Sequence, residues 1–117
     1  MSILFLMRGI KMPFAAQLPD WIVACFRIAL LGEIYPDIRA IAIGYDENGS
    51  VLIRYYLDRQ PTELDLESLG VVAVNFDSLG GKRQVIKKIE IECIHADGPR
   101  SELDPLSGFV YFRREFG

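Results

Sequence analysis

The stretch Ile38-Arg39-Ala40-Ile41-Ala42-Ile43-Gly44-Tyr45-Asp46-Glu47-Asn48-Gly49-Ser50-Val51-Leu52-Ile53-Arg54-Tyr55-Tyr56-Leu57 decides the fold. Two runs within it, Ile38–Tyr45 and Val51–Leu57, are rich in β-branched and aromatic residues, which suit a pleated, half-buried surface. Between them Asp46-Glu47-Asn48-Gly49 carries turn chemistry, and Gly49 takes the positive φ that a hairpin demands. The pattern predicts an antiparallel hairpin. On its second strand Arg54, Tyr56 and Asp58 alternate with Ile53, Tyr55 and Leu57. One face is therefore expected inside and the other toward water or a partner.

Upstream, Asp20 to Leu31 reads as a helix, with Asp20 a candidate N-cap and Gly32 a left-handed stop. Ile22, Cys25, Phe26, Ala29 and Leu30 share one face at helical spacing. Trp21, Val23, Ala24 and Ile28 make the other face apolar too, leaving Arg27 as the charge inside it. A helix apolar all round is central to the core or covered by a partner, and a homodimer through this helix is the alternative to the core reading.

Downstream, Pro61-Thr62 opens a second helix, with Thr62 as N-cap and Glu63, Asp65 and Glu67 where the helix dipole favours negative charge. Leu66, Leu69, Ala73 and Phe76 trace its apolar stripe, and Leu79-Gly80-Gly81 ends it. The run Val71-Val72-Ala73-Val74 after Gly70 is compatible with an early break or a strand. Val85 to Ile94 reads as a third strand with Ile89, Ile91 and Cys93 on one side and Lys88, Glu90 and Glu92 on the other. Gly98-Pro99 and Asp104-Pro105 punctuate a loop from His95 to Ser107. Gly108 to Arg114 is the last strand, with Val110 and Phe112 opposing Phe109 and Tyr111. The fold class expected is α+β: an antiparallel β-sheet with helices packed on one face, in the order α-β-β-α-β-β, with a short extra strand near the N-terminus as an option.

The 117 residues suffice for one domain, 1–117, and half of them are apolar, so a real core is expected. Met1 to Lys11 is read as a disordered or upstream extension, with Met12 a candidate start. Its apolar run is too short for a secretory signal and carries its basic residues on the wrong side. No stretch approaches a membrane span, because Arg27 and Glu33 interrupt the longest candidate. A cytoplasmic protein that does not contact membrane is expected. The net charge of -3 argues against nucleic acid as a partner. From Asp58 to Asp104 there are ten Asp/Glu against six Lys/Arg, whereas Met1 to Leu57 is balanced at five each. A local acidic surface attracts cationic partners, and it equally serves simply to keep a protein dissolved.

The residues supply no catalytic set. His95 is the sole histidine, and Cys93-x-His95 with a distant Cys25 matches no zinc spacing, so no metal or cofactor is expected. A Cys93–His95 nucleophile pair is disfavoured because Cys93 belongs to the apolar face of its strand. Two buried thiols are the default reading of Cys25 and Cys93, with a disulfide between them left open. Leu79-Gly80-Gly81-Lys82-Arg83 lacks phosphate-loop spacing and reads as a turn. The carboxylate pairs Glu90/Glu92 and Glu102/Asp104 read as solvent faces.

A resemblance adds to this. The stretch Leu30-Leu31-Gly32-Glu33-Ile34-Tyr35-Pro36-Asp37-Ile38-Arg39-Ala40-Ile41 resembles small bacterial immunity proteins, and so do Ile53-Arg54-Tyr55-Tyr56-Leu57-Asp58-Arg59, the Pro61-Thr62 helix start and Glu92-Cys93-Ile94. The tail Ser101-Glu102-Leu103-Asp104-Pro105-Leu106-Ser107-Gly108-Phe109-Val110-Tyr111 is similar too. These are the immunity partners of contact-dependent growth inhibition and bacteriocin-type toxins. The resemblance implies a non-enzymatic protein that binds a cognate, nuclease-type toxin domain in the cytoplasm. It carries over no binding residue, and Ser101 to Gly108 reads either as a distinctive contact or as a structural loop. Toxin nucleases are typically basic, so the expected contacts are Asp58, Glu63, Asp65, Glu67, Asp97, Glu102 and Asp104, with Tyr56 as anchor. The alternative is a self-associating structural or regulatory subunit.

Overall fold

The structure, a computed structural model, describes residues 14–80 and 86–115. The readings placed on Met1–Met12, on Gly81-Lys82-Arg83 and on Val85 lie outside the described residues. The hairpin forms as expected: β1 (Ile38–Asp46) pairs antiparallel with β2 (Ser50–Leu57), Ile43 facing Ile53. Asp46 turns the chain by accepting the Asn48 N–H on Oδ1 at 2.7 Å and the Gly49 N–H on its carbonyl at 2.8 Å. Gly49 sits at φ +98°, a conformation glycine adopts at no steric cost. β1 is buried on both faces. Ile41 and Ile43 face the helices, and the small residues Ala40, Ala42 and Gly44 line the far face. A Cβ on Gly44 would lie 2.7 Å from the ring of Phe14, so glycine there is what lets Phe14 lie against the strand.

The first helix, α1 (Asp20–Ala29), begins after Pro19, and Asp20 is its first helical residue rather than its cap. Proline already fixes φ for the turn, and the Ile22 N–H donates to the Pro19 carbonyl at 3.0 Å. Ile22, Phe26, Ala29 and Leu30 enter the core, while Ile28 and Leu31 stay exposed. Gly32 has the positive φ expected of it.

The second helix, α2, runs unbroken from Glu63 to Gly80 through the valine run. Its start is a reciprocal cap: the Asp65 carboxylate accepts the Thr62 N–H at 2.8 Å, and the Thr62 hydroxyl accepts the Asp65 N–H at 3.4 Å. The buried stripe is Asp65, Leu69, Val72 and Phe76, and Leu66 is exposed instead of inside. Phe76 stacks on Phe26 of α1 with ring centroids 4.3 Å apart, and the Asn75 side chain donates to the Ala29 carbonyl at the end of α1.

The α+β class holds, but the sheet is mixed. Its four strands lie in the order β3-β2-β1-β4. β3 (Lys88–His95) runs parallel to β2, from Ser50↔Lys88 to Leu57↔His95 without a register break. Parallel neighbours need a crossover, which is why α2 lies between them as a helix and the expectation of a purely antiparallel sheet fails. The order α-β-β-α-β-β is also not matched as stated, because a 3-10 turn (Arg100–Glu102) precedes β4 (Gly108–Phe112). β4 pairs antiparallel with β1 and carries a bulge: Tyr111 faces Ile41 and Phe109 faces Ala42, leaving Val110 unpaired. Strict alternation is thereby broken. Val110 and Tyr111 both reach the helix-side core, while Phe109 stacks near Phe112 at 4.2 Å.

Both helices pack on one face. The far face is closed by the loop from Ala96 to Ser107, whose Leu103 and Leu106 pack with Ala40, Ala42, Tyr56 and Phe109. Glu90 and Glu92 point to that far face and are buried (6% and 7% exposed), contrary to the solvent face read from their alternation. The parallel register sets Glu92 across from Arg54, which binds it at 2.6 Å, and Lys88 reaches Glu90 at 3.3 Å. The carboxylates are neutralised by neighbouring side chains instead of by water.

Phe76 holds the two helices together, so Phe76→Ala is expected to destabilise the chain by about 3–5 kcal/mol. Urea unfolding followed by circular dichroism measures this, and a loss under about 1 kcal/mol would contradict the packing described.

Candidate functional site: the acidic end of the sheet

All four strands bring chemistry to one end of the sheet: β1 begins there, and β2, β3 and β4 end there. Local backbone makes this end polar. β1 carries a bulge between Ile38 and Ala40, leaving Arg39 as the extra residue opposite β2. A bulge re-aims its side chain, and Arg39 turns to grip the Glu115 carboxylate with two parallel bonds of 2.8 Å. Its remaining nitrogen donates to the Ala96 and Gly98 carbonyls at 2.9 and 2.7 Å. One guanidinium therefore ties β1, the loop after β3 and the chain after β4 together.

Arg113 makes the second clamp. It binds Asp58 at 2.7 Å, Glu115 at 3.0 Å and the Pro36 carbonyl at 2.7 Å. Arg59 makes the third, pairing with Asp37 and holding Asp65 with two bonds of 2.7 and 3.0 Å. The Tyr35 hydroxyl donates to the same Asp65 at 2.5 Å. Asp65 is 2% exposed, and it stays charged there because Arg59 holds its carboxyl well below the usual carboxylate range, with Tyr35 and Thr62 adding donors. Burial, with the bond to Asp65, pushes the Tyr35 phenol up.

The expected contact residues divide into four groups, three of them exposed. Asp58, Asp97 and Glu102 are exposed at this end, each on its own partner: Asp58 lies on Arg113, Asp97 on His95 at 2.6 Å, and Glu102 over Gly98, where a Cβ would lie 2.8 Å from its Oε1. Glu63 and Glu67 are exposed in the first two turns of α2, which Asp65 and Arg59 anchor to this end. Asp104 is exposed, and its carboxylate accepts the Leu106 N–H at 2.9 Å.

Tyr56 and Asp65 are instead inside. Tyr56 is 4% exposed, accepts from Arg54 and donates to the Asp104 carbonyl at 2.8 Å. It fastens the far-face loop and presents no anchor. Ser107 completes that fastening, accepting the Tyr45 N–H on its hydroxyl at 2.9 Å and donating its own N–H to the Ile43 carbonyl. Leu106 between them holds φ at +55°, uncommon for a branched side chain, and the bonds on either side keep it there. The Ser101–Gly108 segment thus has a structural role in its Asp104-Pro105-Leu106-Ser107 half.

The three arginines that organise this end escaped the sequence reading, which weighed charge by sign and looked for acids. Arg39 gave one signal, a charge inside an otherwise apolar strand run. Arg59, Arg113 and Glu115 gave none, because they meet Asp37, Asp58 and Arg39 across 22, 55 and 76 positions of chain.

Burial pushes the Cys93 thiol up to about 12, which leaves it without thiolate character at neutral pH. Cys25 and Cys93 are both free thiols. His95 contacts Asp97 and the Gln60 side chain. Among the described residues no group of three or more His, Cys, Asp or Glu is placed to hold a metal ion, and no helix is long and apolar enough to cross a membrane.

The clamps set a pH dependence. The Arg39 bonds, with Arg113 behind them, hold the Glu115 carboxyl at about 2 against a usual value of 4.5. A carboxylate whose folded value is lowered contributes stability that is complete above its unfolded value and lost as pH falls through the folded one. Stability is therefore expected to fall from about pH 4.5 toward pH 2, Asp65 acting in the same direction. Glu115→Gln is expected to lower stability at pH 7 by about 1–3 kcal/mol and to shrink the acid slope. Urea midpoints between pH 2 and 7 check both; an unchanged slope would show that Glu115 is not clamped.

No curated protein matches this sequence. The family model described as MafI2 immunity protein matches residues 19–115, which takes in both helices, the whole sheet and every clamp at its polar end, and the chain belongs to that family of immunity proteins.

Proposed function

We propose that the chain neutralises a nuclease-type toxin domain in the cytoplasm by binding it, without chemistry of its own, and that the acidic end of the sheet makes the contact. One observation carries this reading: three exposed acids lie at one end of the sheet, Asp58 held by Arg113, Asp97 on His95, and Glu102 beside Gly98, whose carbonyl Arg39 binds. A side chain already held, as Asp58 is by Arg113, loses little entropy on binding, and negative groups at a surface steer a cationic partner. A nuclease presents such a cationic surface to its own phosphate substrate. Glu63 and Glu67 extend the acidic surface along α2 and Asp104 extends it over the far-face loop, while Tyr56 and Asp65 hold the frame.

The test uses the toxin domain encoded beside this reading frame. The triple variant Asp58→Lys, Asp97→Lys, Glu102→Lys is expected to slow association at least about tenfold at low salt and to flatten its salt dependence. Stopped-flow association at several ionic strengths reads both. Unchanged rate and salt slope would remove the acidic end as the contact.

A self-associating subunit is the second reading, favoured by Ile28 and Leu31, which stay exposed at the end of α1 while Ile22, Phe26, Ala29 and Leu30 enter the core. Sedimentation of the purified chain separates the two, a tight homodimer abolished by Leu31→Lys being the outcome that would support self-association.

A further inference from the structure

Gly70 lies in the middle of α2, where glycine is less favourable than any residue but proline. Two reasons for a glycine arise inside a fold, and both are met elsewhere in this chain. Gly32 and Gly49 hold a positive φ, and Gly44 makes room for Phe14. Gly70 has neither reason. Its φ is not positive, and a Cβ built on it meets nothing within 4 Å. The fold would accept a side chain here, and the helix would be stronger with one. The space that the glycine keeps free lies outside the chain, over the solvent side of α2, where it permits a close approach to the backbone.

The surroundings of that space are apolar. Leu66, Gly70, Ala73 and Val74 share one side of the helix at three- and four-residue spacing, and Leu66 and Val74 are 44% and 65% exposed. Ala73 and Val74 continue into a groove of about 320 Å³ between α2 and the start of β3, with Ile86 and Ile89 on its other side. The charge along this strip has one sign. Glu63, Glu67 and Asp77 are exposed and form no ion pair among the described residues, and the sequence of α2 contains no Lys or Arg. The bases that line the groove, Lys87 and Lys88, stand on its β3 side, and Lys88 is held by Glu90.

These features choose between occupants. A contact of α2 with its own copy about a twofold axis at Gly70 sets acid on acid. Run antiparallel, it places Glu63 of each copy against Asp77 of the other; run parallel, it places each acid against itself. Nucleic acid and anionic lipid meet the same repulsion. A protein segment with apolar side chains and flanking Lys or Arg meets none, and a nuclease-type toxin, basic where it holds phosphate, is a source of such segments.

We propose that the toxin domain lays an apolar segment across α2 at Gly70, its backbone close to the helix and its basic side chains over Glu63 and Glu67. An apolar side chain of that segment enters the groove beside Val74. The inference rests on the toxin-binding reading and adds to it an apolar contact, continuous with the acidic end through Glu63 and Glu67.

The test is calorimetric titration of the toxin domain into the full chain and into three variants, Gly70→Ala, Gly70→Gln and Glu67→Lys. Urea unfolding of each free chain accompanies it. Both Gly70 variants are expected to raise the urea midpoint, because the added side chain meets open space and favours the helix. Both are expected to weaken the complex, Gly70→Gln by at least about tenfold and Gly70→Ala by less; Glu67→Lys is expected to weaken it at low salt. A complex that Gly70→Gln leaves unchanged, or that Glu67→Lys leaves unchanged at low salt, overturns the inference and leaves the immunity reading standing. A lowered midpoint for Gly70→Ala overturns it too, since the fold itself would then require the glycine. Absence of any complex with the wild-type chain overturns the immunity reading, and the docked segment with it. Self-association of the free chain that Gly70→Gln abolishes in sedimentation would assign the face to a second copy and overturn the choice of partner.

Discussion

The parallel pairing of β2 with β3 is the constraint on which the rest of the molecule depends. It obliges the chain to leave the sheet after Leu57 and return beside it in the same direction, and α2 is that return. Because α2 must cross, its valine run is held in a helix against a modest propensity for strand, and Val72 and Phe76 bring the packing that outweighs it. The Phe26–Phe76 stack then fixes α1, so both helices end on one face. The other face is left to β1's alanines and Gly44, narrow enough for a loop to close.

The same constraint shapes the surface. Parallel register sets Glu92 beside Arg54 and turns what alternation makes a polar face into buried ion pairs. It also leaves β3 as an unbulged edge, while β4 on the opposite side is short and distorted.

At the polar end, arginines do the organising. Arg39, Arg59 and Arg113 each bind a carboxylate and at least one backbone carbonyl, so the end of the sheet is cross-linked by charge-assisted bonds. Asp65 and Glu115 are consumed by that cross-linking and Asp58 is braced by it.

Much of this was legible in the residues themselves. The Asp46–Gly49 turn, the β-branched runs on either side, the Thr62 start of α2 and the Gly32 stop are local, each written within a few consecutive positions. So was the resemblance to immunity proteins, carried by short motifs such as Tyr35-Pro36-Asp37 and Asp104-Pro105. What alternation could not supply was direction and partnership. A strand of period two looks the same whether its neighbour runs parallel or antiparallel, so β3's orientation, and with it the burial of Glu90 and Glu92, came only from the crossover. A bulge shifts every later side chain to the other face, which is why Val110 and Phe112 part company in β4. The roles of Tyr56, Asp65 and the three arginines were decided by groups far along the chain, since a charge or hydroxyl is a contact or a clasp according to what tertiary structure sets within 3 Å of it.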